Sequence, residues 1–159
     1  MITITTYKPE YFDALAAYHL DEEQSQFSRI PEDVLNDPDM MENSERFPYC
    51  ILVDEAPAGF FCLDFSEDRF AYTQNPNAVL LRSLSVNPAC QGKGVAKTAM
   101  LQLPALVKQH FPGTTEIVFG VNANNKSAYR LYLKTGYLDS GKVYNGIKGP
   151  QYVMYKRVF

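Results

Sequence analysis

The sequence predicts an α/β (α+β) fold, with a mixed, mostly antiparallel central sheet of about seven strands flanked by about four helices. Short β-branched and aromatic runs recur along the chain, and two longer segments carry apolar residues at helical spacing. Turn-forming residues separate these segments. A length of 159 residues suits one core, so we expect a single domain over residues 1–159.

The N-terminal half alternates strands with short helices. A helical face of Phe12, Leu15, Ala16 and His19 follows the first strand. The acidic segment 20–47 predicts two short helices and a loop. The expected strands here are residues 2–7, 49–53 and 59–65, with a hairpin connection over 54–58.

The C-terminal half contains the two longer helical patterns. Residues 92–110 form one of them, and Pro104 is expected to kink that helix or divide it in two. Residues 125–135 form the other, with Asn124 or Asn125 as its cap and Gly136 at its end. The expected strands are residues 79–86, 116–121, 137–143 and 152–158, with a loop over 144–151.

The composition excludes several classes of protein. The chain is 46% hydrophobic without any apolar run of membrane-spanning length, and no signal peptide opens it. We therefore expect a cytoplasmic protein with no membrane partner. Cys50, Cys62 and Cys90 are odd in number and lack metal-site spacing, and the chain has only two histidines. Reduced thiols and no bound metal are the expectation.

The charges are divided unevenly along the chain. Residues 1–81 hold sixteen of the eighteen acids, whereas residues 82–159 hold eleven of the fifteen Lys and Arg. This asymmetry favours two ligands of opposite sign, although solvated surface charge is the alternative. Since no dense basic cluster is present and the acidic half would repel phosphates, a nucleic-acid partner is not expected.

Residues 86–96 form a strand-to-helix turn with two glycines, Gly92 and Gly94. Such a turn brings the main chain close to a ligand, and the helix start favours an anion such as a phosphate. A Walker loop needs a glycine where Ala96 stands, and a dinucleotide fingerprint needs one where Lys97 stands. The pattern Gln/Arg-x-x-Gly-x-Gly/Ala, met by Gln91, Gly94 and Ala96, resembles the pyrophosphate loop of the GNAT superfamily of acetyl-coenzyme A-dependent N-acetyltransferases.

A second motif follows in the order and at the separation that this family shows. The segment 125–137 resembles the family signature Asn-x-x-Ala-x-x-Leu-Tyr-x-Lys-x-Gly-Phe/Tyr. Ala128, Leu131, Tyr132 and Thr135 fall on one helical face, so the tyrosine can bury its ring and present its hydroxyl. Two ordered motifs identify the chain as a member of the family over nearly its whole length.

The resemblance implies how acetyl-coenzyme A, the expected cosubstrate, is held. The sheet is expected to splay between its fourth and fifth strands, and the main chain near Leu84 and Val86 pairs there with the pantetheine arm. Asn125 hydrogen-bonds the cofactor in the family, with a plain helix cap as the alternative. The pyrophosphate-binding residues implied by the loop are Gln91, Gly92, Gly94, Val95 and Ala96, and Lys93 can add charge.

The resemblance also implies the reaction. Tyr132 is the implied general acid that protonates the departing thiolate, with simple packing as the alternative. The acetyl group passes directly from acetyl-coenzyme A to a primary amine of a small molecule or peptide, in a ternary complex. A longer acyl donor and a non-catalytic acyl-coenzyme A-binding module are the alternative functions. The oligomeric state is open, with a homodimer as one alternative.

One departure from the family concerns the acceptor. Many relatives carry a glutamate as general base where this chain has Arg82, followed by Ser83. A base could come from Glu22, from Glu23, from another acid of the segment 20–47 or from water. Arg82 could bind a substrate carboxylate, whereas the acidic segment favours a cationic substrate, and the sequence leaves both alternatives open. Glu22, Glu23, Arg82 and Ser83 are therefore the candidate substrate-binding residues.

Overall fold

The computed structural model describes residues 1–20 and 29–159. Within these ranges seven strands form one sheet, in the order β1-β2-β3-β4-β5-β7-β6, together with five α-helices. The elements are β1 (Ile2–Thr6), α1 (Phe12–Ala17), α2 (Pro31–Leu35), α3 (Pro38–Met41), β2 (Arg46–Val53), β3 (Ala56–Asp64), β4 (Ala78–Val86), α4 (Val95–His110), β5 (Glu116–Asn122), α5 (Lys126–Lys134), β6 (Leu138–Gly146) and β7 (Gly149–Arg157).

The pairing confirms the predicted mixed sheet. The β1–β2, β5–β7 and β6–β7 pairs are antiparallel, whereas β4 and β5 are parallel. The parallel register joins Ala78–Leu80 to Glu116–Val118, at the beginning of both strands. A crossover through α4 connects these two strands, as a parallel pair requires.

Two connections are shorter than predicted. The β2–β3 turn consists of Asp54 and Glu55 alone, at φ 49° and 71°, the left-handed values of a two-residue hairpin turn. The predicted loop over 144–151 is wrong, because β6 continues to Gly146 and β7 begins at Gly149. The hairpin therefore closes with a turn of two residues. Gly149, the first residue after the turn, has a φ of 109°, which a glycine adopts readily.

Helix α4 is continuous, so the predicted division at Pro104 is wrong, whereas the alternative of a kink stays a prediction. Proline removes one N–H donor from the helical ladder and disfavours the helix at that point. Apolar side chains before and after the proline, including Leu103 and Val107, are buried. Their burial on both sides of Pro104 outweighs the loss of one hydrogen bond.

The described chain divides into two compact units. The first comprises residues 1–63 and 82–99, and its core lies beneath the three short helices α1–α3. The second comprises residues 64–81 and 100–159, where Ala78, Val118 and Val153 form a small cluster with Tyr72 and Tyr144 packed against it. The expectation of a single domain over residues 1–159 stays a prediction.

Membrane-spanning helices and metal-ligand clusters were sought in residues 1–20 and 29–159, the part of the chain that the structure describes. No helix there is both long and apolar enough to cross a bilayer. In the same ranges, no group of three or more His, Cys, Asp and Glu side chains is arranged to hold a metal ion.

Candidate active site

The glycine turn of the first unit has a defined local structure. Asn87 accepts a hydrogen bond from the main-chain N–H of Ala89 at 3.0 Å, and this starts a single 3₁₀ turn over Pro88–Cys90. Gly92 and Gly94 follow with φ values of 81° and 75°, in the left-handed region. A Cβ added at either glycine would meet nothing within 4 Å. The glycines are therefore required by backbone conformation, and the space beside them is open.

Helix α4 begins directly after this turn. The Gly94 carbonyl accepts the N–H of Thr98 at 2.9 Å, so Gly94 occupies the N-cap position. Val95 is buried and anchors the first turn, whereas Lys93 and Lys97 are exposed. The first N–H groups of a helix have no acceptor within the helix, and they carry the positive end of its dipole. The start of this sixteen-residue helix is therefore suited to an anion.

Strand β4, which leads to the turn, changes conformation at Ser83. This residue has a φ of 60°, a strained value for serine in a strand. Arg82, Ser83 and Leu84 are half-buried, whereas the strand is buried before and after them. A single left-handed residue redirects the main chain of a strand, so the backbone after Ser83 is turned relative to the backbone before it.

A buried pair fixes the strand just after this point. The hydroxyls of Tyr18 and Ser85 are 2.9 Å apart, and both residues are 6% exposed. On the other side, a Cβ at Gly59 would lie 2.8 Å from the Ser85 carbonyl oxygen, so only glycine allows this close approach. The N–H of Asn87 donates to the Ala58 carbonyl at 2.7 Å. The end of β4 is thus held from two directions within the first unit.

Sequence reasoning missed Tyr18 and selected its neighbour. The helical face was expected to include His19, but α1 ends at Ala17 and Tyr18 is extended, at φ −98° and ψ 144°. This conformation turns Tyr18 inward and leaves His19 exposed. Burial raises the pKa of Tyr18, and the hydrogen bond with Ser85 partly offsets the rise. The phenol is therefore neutral at physiological pH.

In the second unit, the motif of residues 125–137 forms a helix with both ends capped. Asn125 is the N-cap, and its side-chain oxygen accepts the N–H of Ala128 at 3.2 Å. At the other end Gly136 has a φ of 96°. Its N–H donates to the Leu133 carbonyl at 3.2 Å, and the N–H of Tyr137 donates to the Tyr132 carbonyl at 3.0 Å. These two bonds define a Schellman motif, which fixes Tyr132 three positions before the cap.

The ring of Tyr132 is packed by two other aromatic rings. Its centroid lies 4.7 Å from that of Phe119 on β5 and 6.5 Å from that of Tyr137, both in edge-to-face geometry. Phe119 and Tyr137 also contact each other at 5.3 Å. Burial raises the pKa of Tyr132 to about 12. The phenol consequently keeps its proton through the neutral range and has a hydrogen to donate there.

The predicted site residues are distributed over both units. Those of the strand and the glycine turn lie in the first unit, namely Arg82, Ser83, Leu84, Val86, Gln91, Gly92, Lys93, Gly94, Val95 and Ala96. Asn125 and Tyr132 lie in the second unit. Glu22 and Glu23 lie outside the described residues. The helix-cap alternative for Asn125 is confirmed, and its amide nitrogen is not used by that cap.

Known proteins are similar to this chain in sequence or in fold. The profile of the family described as "Acetyltransferase (GNAT) family" matches residues 10–137. A Bacillus subtilis (strain 168) protein named "Uncharacterized N-acetyltransferase YbbJ" is 40% identical over 155 residues, covering 97% of this chain and 96% of that protein. The chain therefore belongs to the GNAT family. It is an enzyme of the acetyl-coenzyme A-dependent acetyltransferase class.

Solved structures support the fold at lower identity. The aminoglycoside acetyltransferase AAC(6')-Ib in complex with coenzyme A matches with a TM-score of 0.78 at 17% identity, over 99% of this chain and 95% of that one. The spermidine N-acetyltransferase from Vibrio cholerae in complex with coenzyme A and spermine matches with a TM-score of 0.72 at 14% identity, over 99% and 95%. At these identities the likeness concerns the fold alone.

Proposed function

We propose that this enzyme transfers the acetyl group of acetyl-coenzyme A directly to a primary amine of a small molecule or peptide. The observation that carries the proposal is the open, left-handed glycine turn at the start of α4, joined in one chain to a capped helix that fixes Tyr132. Coenzyme A is named in the descriptions of both solved structures above. The family membership supports the same chemistry.

The pyrophosphate is held by the turn and the first residues of α4. Main-chain N–H groups of Gly92, Gly94, Val95 and Ala96 donate to it, and the Gln91 side chain adds a further contact. Lys93 contributes positive charge.

The amide nitrogen of Asn125 donates to the cofactor while the oxygen caps the helix. Only two acids lie in residues 82–159, Glu116 and Asp139, so little charge opposes a diphosphate there.

The thioester is positioned by strand β4. Leu84 and Val86 contribute their main chain to the pantetheine arm, in the manner of an added strand. The left-handed Ser83 supports this role, because it redirects the main chain immediately before these residues. A main-chain N–H at this point polarises the thioester carbonyl, an oxyanion contact worth about 3 kcal/mol of transition-state stabilisation.

The chemical steps require one base and one acid. The neutral amine attacks the carbonyl carbon, and the tetrahedral intermediate then expels the thiolate as the C–S bond breaks. The attacking nitrogen loses its proton to a carboxylate of the segment 20–47 or to water. Tyr132 donates a hydrogen bond to the developing thiolate and supplies its proton, and the proton that the attacking nitrogen releases to water restores the phenol. A phenol with a pKa of about 12 keeps its proton through the neutral range and so can donate this hydrogen bond, while the raised pKa makes full transfer of the proton to the sulfur harder than for an unburied phenol.

The acceptor is proposed to be a cationic amine. The acids of residues 20–47 support a cationic acceptor. Of the two solved structures above, one is described as an aminoglycoside acetyltransferase and the other as a spermidine N-acetyltransferase in complex with spermine. Glu22 and Glu23 are the proposed contacts for the positive charge. Arg82 and Ser83 favour a second group on the acceptor, such as a carboxylate, so an amino acid or peptide is the competing class.

A thiol-release assay with acetyl-coenzyme A over a panel of polyamines, aminoglycosides, amino acids and peptides tests the function. Tyr132→Phe is expected to lower kcat about 10- to 1000-fold with little change in cofactor affinity, equally at about pH 7 and about pH 9. Unchanged turnover in this variant contradicts the acid role. Calorimetric binding of acetyl-coenzyme A without thiol release on any amine would favour a non-catalytic acyl-coenzyme A-binding module. Release only from a longer acyl donor would change the donor class.

A further inference from the structure

Pro104 leaves a main-chain acceptor in the middle of α4. A proline has no N–H, so the carbonyl of Met100, four residues earlier, cannot accept its usual helical bond from residue 104. Met100 is buried, at 1% exposed. A buried carbonyl without a donor destabilises a fold, and such groups are normally satisfied from elsewhere.

The hydroxyl of Tyr137 supplies the missing donor. It bonds to the Met100 carbonyl oxygen at 2.9 Å, and the Tyr137 side chain is completely buried. All three residues, Met100, Pro104 and Tyr137, lie in the second unit. The hydrogen bond therefore fastens the ring of Tyr137 to the backbone of α4 at a point that an uninterrupted helix would not leave open.

Tyr137 is also joined to Tyr132 through both its main chain and its ring. Its N–H bonds to the Tyr132 carbonyl at 3.0 Å, and the two ring centroids are 6.5 Å apart. Phe119 contacts both rings, at 4.7 Å and 5.3 Å. Edge-to-face aromatic packing restricts where each ring can lie. Fixing Tyr137 on α4 thus restricts the ring of Tyr132.

We propose that Tyr137 is a positioning residue for Tyr132, fastened by the carbonyl of Met100 that Pro104 leaves open. The proposal rests on the donor role given to Tyr132 above. A proton donor must lie within hydrogen-bond reach of the leaving sulfur, and a shift of about 1 Å can cost about 100-fold in rate. Pro104 therefore acts indirectly: because it has no N–H, the Met100 carbonyl accepts the Tyr137 hydroxyl instead.

A double-mutant cycle on kcat tests this. Tyr137→Phe keeps the ring and removes only the hydroxyl, and it is expected to lower kcat about tenfold while the KM for acetyl-coenzyme A changes less than about twofold. In a Tyr132→Phe background the same substitution is expected to have almost no further effect on kcat, because it acts through the Tyr132 hydroxyl. A purely structural role would lower kcat by the same factor in both backgrounds.

The cycle can be run even where Tyr137→Phe folds poorly. Adding Pro104→Ala only to the members that carry Tyr137→Phe supplies an N–H at residue 104 that can bond the Met100 carbonyl and restore stability, without restoring the link to Tyr137. The expected loss of kcat and its dependence on the Tyr132 hydroxyl then remain. If instead the loss disappears in this background, the role of Tyr137 is only to satisfy the carbonyl, and the proposal is overturned.

The outcomes separate this proposal from the function on which it rests. If Tyr132→Phe alone keeps full turnover, the donor role fails and the positioning role falls with it. If Tyr132→Phe loses turnover but Tyr137→Phe either keeps kcat or multiplies the loss independently, only the positioning role is overturned. A loss with Tyr137→Phe that is absent in the Tyr132→Phe background supports both.

Discussion

Gly94→Glu tests the diphosphate contact with a charge placed at the turn. A Cβ at Gly94 meets nothing within 4 Å, so a side chain can begin at this position without a clash at Cβ. The φ of 75° is strained for any residue other than glycine, at about 1 kcal/mol. Gly94→Gln carries the same strain and nearly the same volume, so the difference between the two variants isolates the negative charge.

The size of that difference follows from Coulomb's law. A carboxylate about 5 Å from one phosphate charge is repelled by about 0.8 kcal/mol in bulk water and by about 3 kcal/mol at an effective dielectric constant of about 20. Two phosphate charges give about 1.5 to 6 kcal/mol. The Kd for coenzyme A in Gly94→Glu is therefore expected to exceed that in Gly94→Gln by about tenfold to ten-thousand-fold.

Isothermal titration calorimetry measures the Kd for coenzyme A in both variants. Thermal unfolding is the control that checks whether the two variants are equally stable. Added salt screens the repulsion, so the ratio of the two Kd values is expected to shrink at about 1 M salt. Equal affinity in the two variants at low salt would show that the diphosphate does not bind at this turn, since a carboxylate there would repel it.

Three further predictions concern stability. Gly136→Ala forces a left-handed φ on alanine and is expected to cost about 1 kcal/mol, and an unchanged thermal midpoint would contradict the Schellman cap. Tyr18→Phe is expected to cost about 1 kcal/mol in urea unfolding, and its cost should shrink in a Ser85→Ala background; simple additivity would contradict the buried pair. Burial raises the pKa values of Tyr49 and Tyr132 to about 12, so the unfolded state ionises first, and the free energy of unfolding should fall as the pH rises from about 10 to about 12. Stability that is flat over that interval would contradict the burial of these phenols.

The sequence predicted the features that depend on local chemistry. Glycines mark the turn before α4 and the cap after α5, and both have the left-handed φ that only glycine adopts easily. The helix that carries Tyr132 follows from spacing, and an asparagine cap was predicted at Asn124 or Asn125, of which the structure has Asn125. The family motif selected Tyr132 from the eleven tyrosines as the candidate general acid, a choice that periodicity could not have made.

The remaining features depend on residues distant in sequence. Tyr18 and Ser85 are 67 positions apart, and nothing local indicates that α1 ends in time to turn Tyr18 inward. The continuity of α4 through Pro104 was also unpredictable from local sequence, because its buried apolar face and the hydroxyl of Tyr137 both come from tertiary packing. The left-handed Ser83 carries no sequence signal, since serine ordinarily avoids that conformation.

The most direct test is a crystal structure of the chain with coenzyme A bound. We predict diphosphate oxygens within about 3 Å of main-chain nitrogens at Gly94, Val95 and Ala96, and the Tyr132 hydroxyl within hydrogen-bond reach of the sulfur. Phosphates bound away from the start of α4, or a sulfur that no tyrosine hydroxyl approaches, would contradict this prediction.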